Sequence, residues 1–175
     1  NEIIGVITRT DLLNHLVRKT DLTPEHIPNP LKENIRVRTR NVKKFLKERH
    51  SSRILQILKT IGDTASEKGV NAYVIGGFVR DLFLYRPNED IDIVIEGDAI
   101  EFARQYAQKV SARLHTYRKF GTAVVIFKDG FKLDVATARM EYYRFPADLP
   151  TVEMSSLKLD LFRRDFTINT LAIHL

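Results

Sequence analysis

Hydrophobic residues recur at helical spacing in two stretches of the chain. The first helix is predicted from an apolar face of Ile54, Leu55, Leu58, Ile61 and Ala65, with Val42, Phe45 and Leu46 as a candidate earlier start. A second helix is predicted to begin with Asp98 and Glu101 as a capping box. Its apolar face comprises Ala99, Phe102, Ala103, Tyr106, Ala107 and Val110. Both helices are therefore expected to pack on a shared core.

Four shorter apolar runs predict strands, at residues 72–75, 90–95, 123–127 and 131–135. The last two flank Lys128, Asp129 and Gly130, and Asp-Gly between apolar runs is a strong hairpin signal. The order of strand, helix, strand, helix and hairpin indicates an α+β or α/β sheet with helices packed against it.

The first 41 residues have a different character. Residues 3–13 predict a short strand, a turn and a helix, and residues 23–30 contain three prolines that forbid a regular helix. We predict a remnant of a regulatory module at 1–20, a basic linker containing prolines at 21–41, and one catalytic or binding domain at 42–175.

Composition narrows the chemistry. The chain has no cysteine, which excludes thiolate metal sites and leaves oxygen or imidazole ligands. The five histidines are scattered, so carboxylates are the better metal-ligand candidates. No apolar run approaches the roughly 20 residues of a membrane span, and no signal peptide is apparent, so we expect a cytoplasmic protein without a membrane partner.

The net charge of +6 is concentrated in residues 32–49, which carry eight basic and two acidic residues. This basic stripe (residues 32–49) is suited to RNA phosphates, because neutralising them releases counterions. A solvated linker and helix face accounts for it equally well.

Asp90 and Asp92 are the most informative polar pair. Side chains two apart on a strand share a face, so both carboxylates project together while Ile91 and Ile93 point into the core. Two adjacent anions repel, and a bound Mg²⁺ removes that penalty. An Asp-x-Asp alone is weak evidence, because exposed strand ends carry such pairs by chance.

Three further features give the pair a context. Gly76 and Gly77 follow an apolar strand and open a helical segment that also carries Arg80, an arrangement that can receive a phosphate. A tight turn with Arg80 paired to Asp81 explains the same residues without a ligand. Asp134 lies between two residues expected to be buried, so it either joins the first two carboxylates in a metal site or pairs with Arg139 at a strand edge.

The third feature is the segment R-R-D-F-T-I-N at residues 163–169, which concentrates two guanidinium groups, an acid and an amide. Arginine clamps phosphate oxygens, and Asp or Asn orients a ribose or a neighbouring arginine. An ordinary junction between a helix and a strand is the alternative.

Together these segments resemble the class II tRNA nucleotidyltransferase (CCA-adding enzyme) and bacterial poly(A) polymerase family. The resemblance rests on five motifs in the family's order within residues 54–175: V-I-G-G-F-V-R-D at 74–81, D-I-D-I-V at 90–94, K-F-G-T-A at 119–123, D-V-A-T-A-R at 134–139 and R-R-D-F-T-I-N at 163–169. Tyr85 departs from a frequent glycine of the family, and Thr170 departs from its usual alanine.

The resemblance implies the head domain of the DNA polymerase beta-like nucleotidyltransferase fold, with a mixed, mainly antiparallel sheet and flanking helices. It implies Mg²⁺, with Mn²⁺ as a substitute, on Asp90 and Asp92, and a catalytic carboxylate at Asp134. It also implies nucleotide contacts that involve the residues Gly76, Gly77, Arg80, Arg164, Asp165 and Asn169, with Asp165 and Asn169 supporting the sugar and Arg164.

The implied reaction is template-independent transfer of CMP or AMP from CTP or ATP to an RNA 3′ end, that of tRNA foremost, by two-metal phosphoryl transfer with release of pyrophosphate. Alternatives are a poly(A) polymerase specific for ATP and a non-catalytic module that senses nucleotide or binds RNA. Residues 3–13 resemble the end of a CBS module whose ligand the sequence does not identify. We therefore expect a fragment of a longer protein whose neck, body and tail lie beyond Leu175.

Overall fold

The computed structural model describes residues 39–142 and 151–175. The helices are α1 (Lys43–Arg49), α2 (Ser52–Lys68), α3 (Gly77–Leu84), α4 (Ala99–Lys109) and α5 (Leu157–Phe162). The strands are β1 (Asn71–Ile75), β2 (Ile91–Glu96), β3 (Arg113–Tyr117), β4 (Thr122–Ile126), β5 (Lys132–Thr137), β6 (Arg139–Tyr142), β7 (Thr151–Met154) and β8 (Ala172–His174). Short 3₁₀ turns occupy Arg118–Phe120 and Thr167–Asn169. The predicted regulatory remnant and most of the predicted linker fall outside the described residues.

Six strands form one sheet in the order β3-β4-β5-β2-β1-β8, and β6 pairs with β7 in a separate two-stranded sheet. Within the larger sheet only β2 and β5 pair in parallel, and the other neighbouring strands are antiparallel. The parallel pair is possible because α4, β3 and β4 lie between its strands in sequence and provide the crossover. The predicted α+β class with a mixed, mainly antiparallel sheet and flanking helices is confirmed.

The helix predicted around Ile54 is confirmed, but its upstream extension is a separate helix. The chain turns at His50 and Ser51, and the Ser51 side chain accepts a hydrogen bond from the Ile54 amide at 3.3 Å. A serine cap of this kind begins a new helix because it satisfies an otherwise unpaired amide. The apolar pattern runs through both helices, so periodicity alone does not reveal the break.

Asp98 caps α4 as predicted, and its Oδ1 accepts from the amides of Ile100 and Glu101 at 2.9 and 3.0 Å. The reciprocal half of the capping box is wrong. The Glu101 carboxylate instead binds Arg104 and Gln105, one turn along the same helix. Side-chain donors one turn along a helix compete with the backbone amide of the cap for the Glu101 carboxylate, and Glu101 binds the side chains.

The hairpin between β4 and β5 is confirmed, with Gly130 at φ 88° in its turn. The sequence pattern did not predict β3, which carries polar residues at alternate positions and has only Leu114 directed at the core. Edge strands bury little on either face, and they therefore lack the apolar signal that marks a central strand.

The core lies between one face of the six-stranded sheet and the helices α2, α3 and α4. Ile91, Ile93, Leu133 and Val135 are all at most 1% exposed on this face, as predicted. Leu157 and Leu161 of α5 cover part of the opposite face, against Ile75 and Val94. The remainder of that second face, which we call the open face, carries the alternate residues of β2, β5, β4 and β3.

Tyr85 ends α3 in the left-handed conformation, with φ 61°. This region is costly for a residue with a Cβ, which agrees with glycine being frequent here in the family that the sequence resembles. The guanidinium of Arg49 lies 3.4 Å from the centroid of the Tyr85 ring. The described part of the basic stripe is thus partly engaged with aromatic rings of the domain. No described helix is long and apolar enough to cross a membrane.

Candidate active site

The glycine turn after β1 is the structural centre of the site. Gly76 has φ 69° and ψ −132°, a conformation that residues with a Cβ rarely adopt, and it leads directly into α3. A Cβ placed on Gly76 would lie 3.6 Å from Arg164 Nη1 and 3.8 Å from Asp92 Oδ2. This turn therefore brings the Gly-Gly, Asp-x-Asp and Arg-Arg-Asp motifs to one point.

The three predicted carboxylates lie on neighbouring strands at the open face. Asp92 and Asp134 are partners in the parallel register of β2 and β5. Asp90 directly precedes β2, so the strand begins one residue later than predicted, and the Asp90 amide donates to Asn88 Oδ1 at 2.8 Å. Asp92 is half-buried, whereas Asp90 and Asp134 are exposed. Asp134 lies between the buried residues Leu133 and Val135, as predicted, and the alternation of the strand places its own side chain on the open face.

The carboxylates repel one another, and this repulsion affects the pKa values of Asp92 and Asp134. Burial, together with the neighbouring carboxylates of Asp90 and Asp134, raises the pKa of Asp92 to about 6, and Arg164 opposes the rise. Lost hydration also raises the pKa of Asp134, with Asp90 adding to the effect and Lys132 opposing it. A cation beside Asp92 would relieve this repulsion.

The oxygen ligands fit a hard divalent cation. Within residues 39–142 and 151–175, no group of three or more His, Cys, Asp or Glu side chains is arranged closely enough to hold a metal ion jointly. The candidate metal ligands are therefore the pair Asp90 and Asp92, with Asp134 beside them in register rather than as a preassembled third ligand.

Arg80 is held by the side chains of Asp81 and Asn169. Its Nε and Nη2 donate to the two carboxylate oxygens of Asp81 at 2.8 and 2.9 Å, and its Nη1 donates to Asn169 Oδ1 at 3.1 Å. Asn88 also donates to Asp81, at 2.7 Å. The simple pairing of Arg80 with Asp81 is thus present, and in addition Asn169 is brought to Arg80 from 89 residues away.

Arg164 is held by a residue that the sequence reading missed. Asp160 on α5 is 1% exposed, and its carboxylate binds Arg163 at 2.9 Å and Arg164 at 3.4 Å. Its spacing of three and four residues from the two arginines is the signal that could have found it. Asp165 was expected to support Arg164, but it is exposed and makes no hydrogen bond or ion pair with any described residue. That expectation is corrected in favour of Asp160.

A separate cleft lies at the far ends of β2 and β5, away from these carboxylates. It is lined by Asp98, Ile100, Glu101, Arg104, Arg118, Lys119, Gly121, Thr137 and Met154. Among its charged side chains, Arg104 contacts Glu101. None of the residues that line this cleft belongs to the site described above.

The fold and the site define an α+β domain in which a helix that begins at glycine faces carboxylates at the start of an adjacent strand. Such a helix start presents unpaired amides to an anion, and Arg80 and Arg164 lie beside it. The chain belongs to the family described as the Poly A polymerase head domain, whose family profile matches residues 72–175.

Curated relatives and solved structures agree with this assignment. The chain is 49% identical over 174 residues to a protein named A-adding tRNA nucleotidyltransferase from Geobacter sulfurreducens, covering 99% of this chain and 20% of the relative. A solved CCA-adding enzyme in an apo form is 50% identical with a TM-score of 0.73, over 77% of this chain and 32% of that one. A CCA-adding enzyme in complex with ATP is 44% identical with a TM-score of 0.67, over 78% and 30%. The chain thus spans about a fifth to a third of the proteins that it matches.

Proposed function

We propose that this chain binds a nucleoside triphosphate and transfers its nucleotide to the 3′ end of an RNA, with tRNA as the substrate. The observation that carries the proposal is the Gly76 turn, which adjoins both Asp92 and Arg164. Arg164, which can bind an anion, and Asp92, which can bind a cation, therefore lie next to the same turn. That juxtaposition is what a triphosphate accompanied by a divalent cation requires.

The triphosphate is assigned to the start of α3. The amides at this helix start are directed at the ligand, and Arg164 supplies a positive charge on the side of Asp92. Arg80 is preorganised by Asp81 and Asn169, so little side-chain entropy is lost when it meets a phosphate. Gly77 lies close to Arg80 and Asn88, where a larger residue would occupy the space for the ligand.

Asp90 and Asp92 are assigned as ligands of a divalent cation, Mg²⁺ or Mn²⁺. When bound, such a cation neutralises charge that develops on the reacting phosphate and on the leaving group. In the proposed reaction the RNA 3′-hydroxyl oxygen forms a bond to the α-phosphorus, the bond from that phosphorus to the β-phosphate oxygen breaks, and pyrophosphate leaves. Asp134 is assigned to receive the hydroxyl proton, and its exposure beside Asp92 supports this assignment.

The nucleotide transferred is proposed to be AMP, CMP or both. The relative from Geobacter sulfurreducens is named for adding A, and the similar solved structures are named for adding CCA. A poly(A) polymerase specific for ATP agrees with the family's name. These possibilities share the proposed site and differ in their response to CTP.

Calorimetric titration of ATP and CTP in the presence of Mg²⁺ tests the proposal. We expect binding by the chain, and loss of that binding in the variant with Asp90→Asn and Asp92→Asn, because neutral amides neither neutralise nor hold the cation. Asp63→Asn removes an exposed carboxylate of α2 and serves as the control. Binding that survives the double substitution would refute the assigned metal ligands.

Transfer is tested separately, by incubating the chain with tRNAs that lack C-C-A or only the final A, and with labelled ATP or CTP. Elongation with ATP alone would support A addition, elongation with both would support CCA addition, and a long A tail would support a poly(A) polymerase. Retained nucleotide binding without elongation would favour the non-catalytic alternative.

A further inference from the structure

The open face of the sheet continues from the carboxylates to the β3 edge. Residues paired across strands share a face, so the register defines which side chains line it. One row runs from Asp92 through Asp134 and Val124 to His115. The row on one side runs from Lys132 through Ile126 to Arg113. The row on the other side runs from Ala136 through Thr122 to Tyr117. Arg113, His115 and Tyr117 therefore stand on the same face as the acids.

These three side chains are exposed, whereas Leu114 between them packs towards the core. Tyr117 is 53% exposed, a large fraction for a tyrosine on a strand. Strands lie about 4.8 Å apart, so the β3 side chains begin about 14 Å from Asp92, three strands away. A short single-stranded segment spans that distance.

The charge of this region is positive away from the acids. Lys132 lies in the row that leads to Arg113, on the same face as the acids. Neither Lys132 nor Arg113 forms an ion pair with another described residue. Their charge is thus available to a polyanion that approaches along the open face.

We infer that the 3′-terminal single strand of the RNA runs along the open face from β3 to Asp92, with a base stacked on Tyr117 and phosphates beside Arg113 and Lys132. This inference rests on the proposed function, since it assigns the path of that reaction's acceptor. An exposed aromatic ring with basic side chains nearby on the same sheet face suits a single strand, because every base offers a stacking face and every nucleotide carries a charge.

Fluorescence anisotropy with a labelled single-stranded RNA of ten nucleotides ending in C-C tests the path. Tyr117→Ala is expected to weaken binding about fivefold or more, the usual effect of losing one stacking partner. Tyr117→Phe keeps the ring and is expected to retain the affinity. Thr116→Ala changes the next residue on the same strand, paired with the buried Ala123, and is the matched control.

The salt dependence gives a second readout that a structural defect would not move. Arg113→Ala is expected to lower the slope of log affinity against log salt concentration by about 0.7, the value for one phosphate contact on a single strand. An unchanged slope together with unchanged binding by Tyr117→Ala would overturn the assigned path, as would an RNA affinity of the parent chain too weak to measure.

Titration of ATP with Mg²⁺ on the same samples separates this inference from the proposed function. The β3 variants are expected to bind ATP as the parent does, because β3 is an edge strand of the sheet and three strands separate it from β1, which the glycine turn follows. ATP binding with RNA affinity that is insensitive to β3 would leave the proposed function standing and overturn the path alone. Failure to bind either ligand would overturn both.

Discussion

At the scale of single residues, Asp160 determines how the arginine motif is presented. Its carboxylate is almost fully buried and binds both Arg163 and Arg164, and it also accepts a long hydrogen bond from the Arg139 amide at 3.4 Å. A buried anion is tolerated only with such partners. The same contacts limit the freedom of Arg164, which lies beside Gly76 and Asp92.

Replacement of Asp160 by asparagine is expected to lower the free energy of unfolding by about 1.5–3 kcal/mol, because hydrogen bonds to charged groups are lost at a buried position. ATP affinity is expected to fall as well, since Arg164 loses its anchor. Urea denaturation and calorimetry measure the two effects. Asp165→Asn is the matched control, and as an exposed change it is expected to stay within about 0.5 kcal/mol. Equal effects of the two substitutions would contradict the assignment to Asp160.

At the scale of elements, α3 is attached to the loop that precedes β2. Asp81 on α3 binds Arg80 beside it and Asn88 from the loop, and the Asn88 oxygen accepts from the Asp90 amide. The helix whose start is the proposed triphosphate site is thereby connected to the candidate carboxylates at the beginning of β2. A change at Asp81 should affect the relative position of these two elements as well as stability.

The acid stability of the domain should depend on Asp81. Hydrogen bonds from Arg80 and then Asn88 lower the pKa of Asp81 to about 2, below its ordinary value near 4. A lowered pKa in the folded state contributes stability above pH 4 that is lost as the pH falls towards 2. Urea midpoints measured between pH 5 and pH 2 should therefore fall less steeply in Asp81→Asn than in the parent. Parallel curves for the two proteins would rule out this role.

At the scale of the domain formed by residues 38–140 and 152–175, one apolar core fixes the helices against the sheet. Ile61 of α2 is fully buried in it, and Gly62 next to it leaves room for the last residue, since a Cβ there would lie 3.0 Å from the Leu175 carbonyl carbon. The candidate carboxylates lie on the face of the sheet opposite this core. Stability and function are thus assigned to opposite faces of the same strands.

Ile61→Ala is expected to cost about 2–5 kcal/mol of unfolding free energy, the range for truncating a fully buried aliphatic side chain. ATP affinity of the folded fraction should be retained, because the cavity forms on the side of the sheet away from the site. Ile168→Ala, at a position 48% exposed, is the control. Loss of ATP binding by protein that remains folded would contradict this separation of the two faces.

The sequence by itself determined the local features of the protein. Period-two alternation put Ile91 and Ile93 in the core, Asp-Gly marked the β4–β5 hairpin, and Asp98 marked the start of α4. The five ordered motifs led to the family that the comparisons confirm. These features depend on residues a few positions apart, for which spacing is sufficient information.

Only the tertiary structure decided which of these features meet. The pairing of Asp92 with Asp134 depends on the parallel register of β2 and β5, and that of Arg80 with Asn169 spans 89 residues. Arg164 pairs with Asp160 rather than with the expected Asp165, because Asp160 lies on the buried side of α5. Such contacts are set by long-range packing and burial, which a linear pattern of polar and apolar residues does not encode.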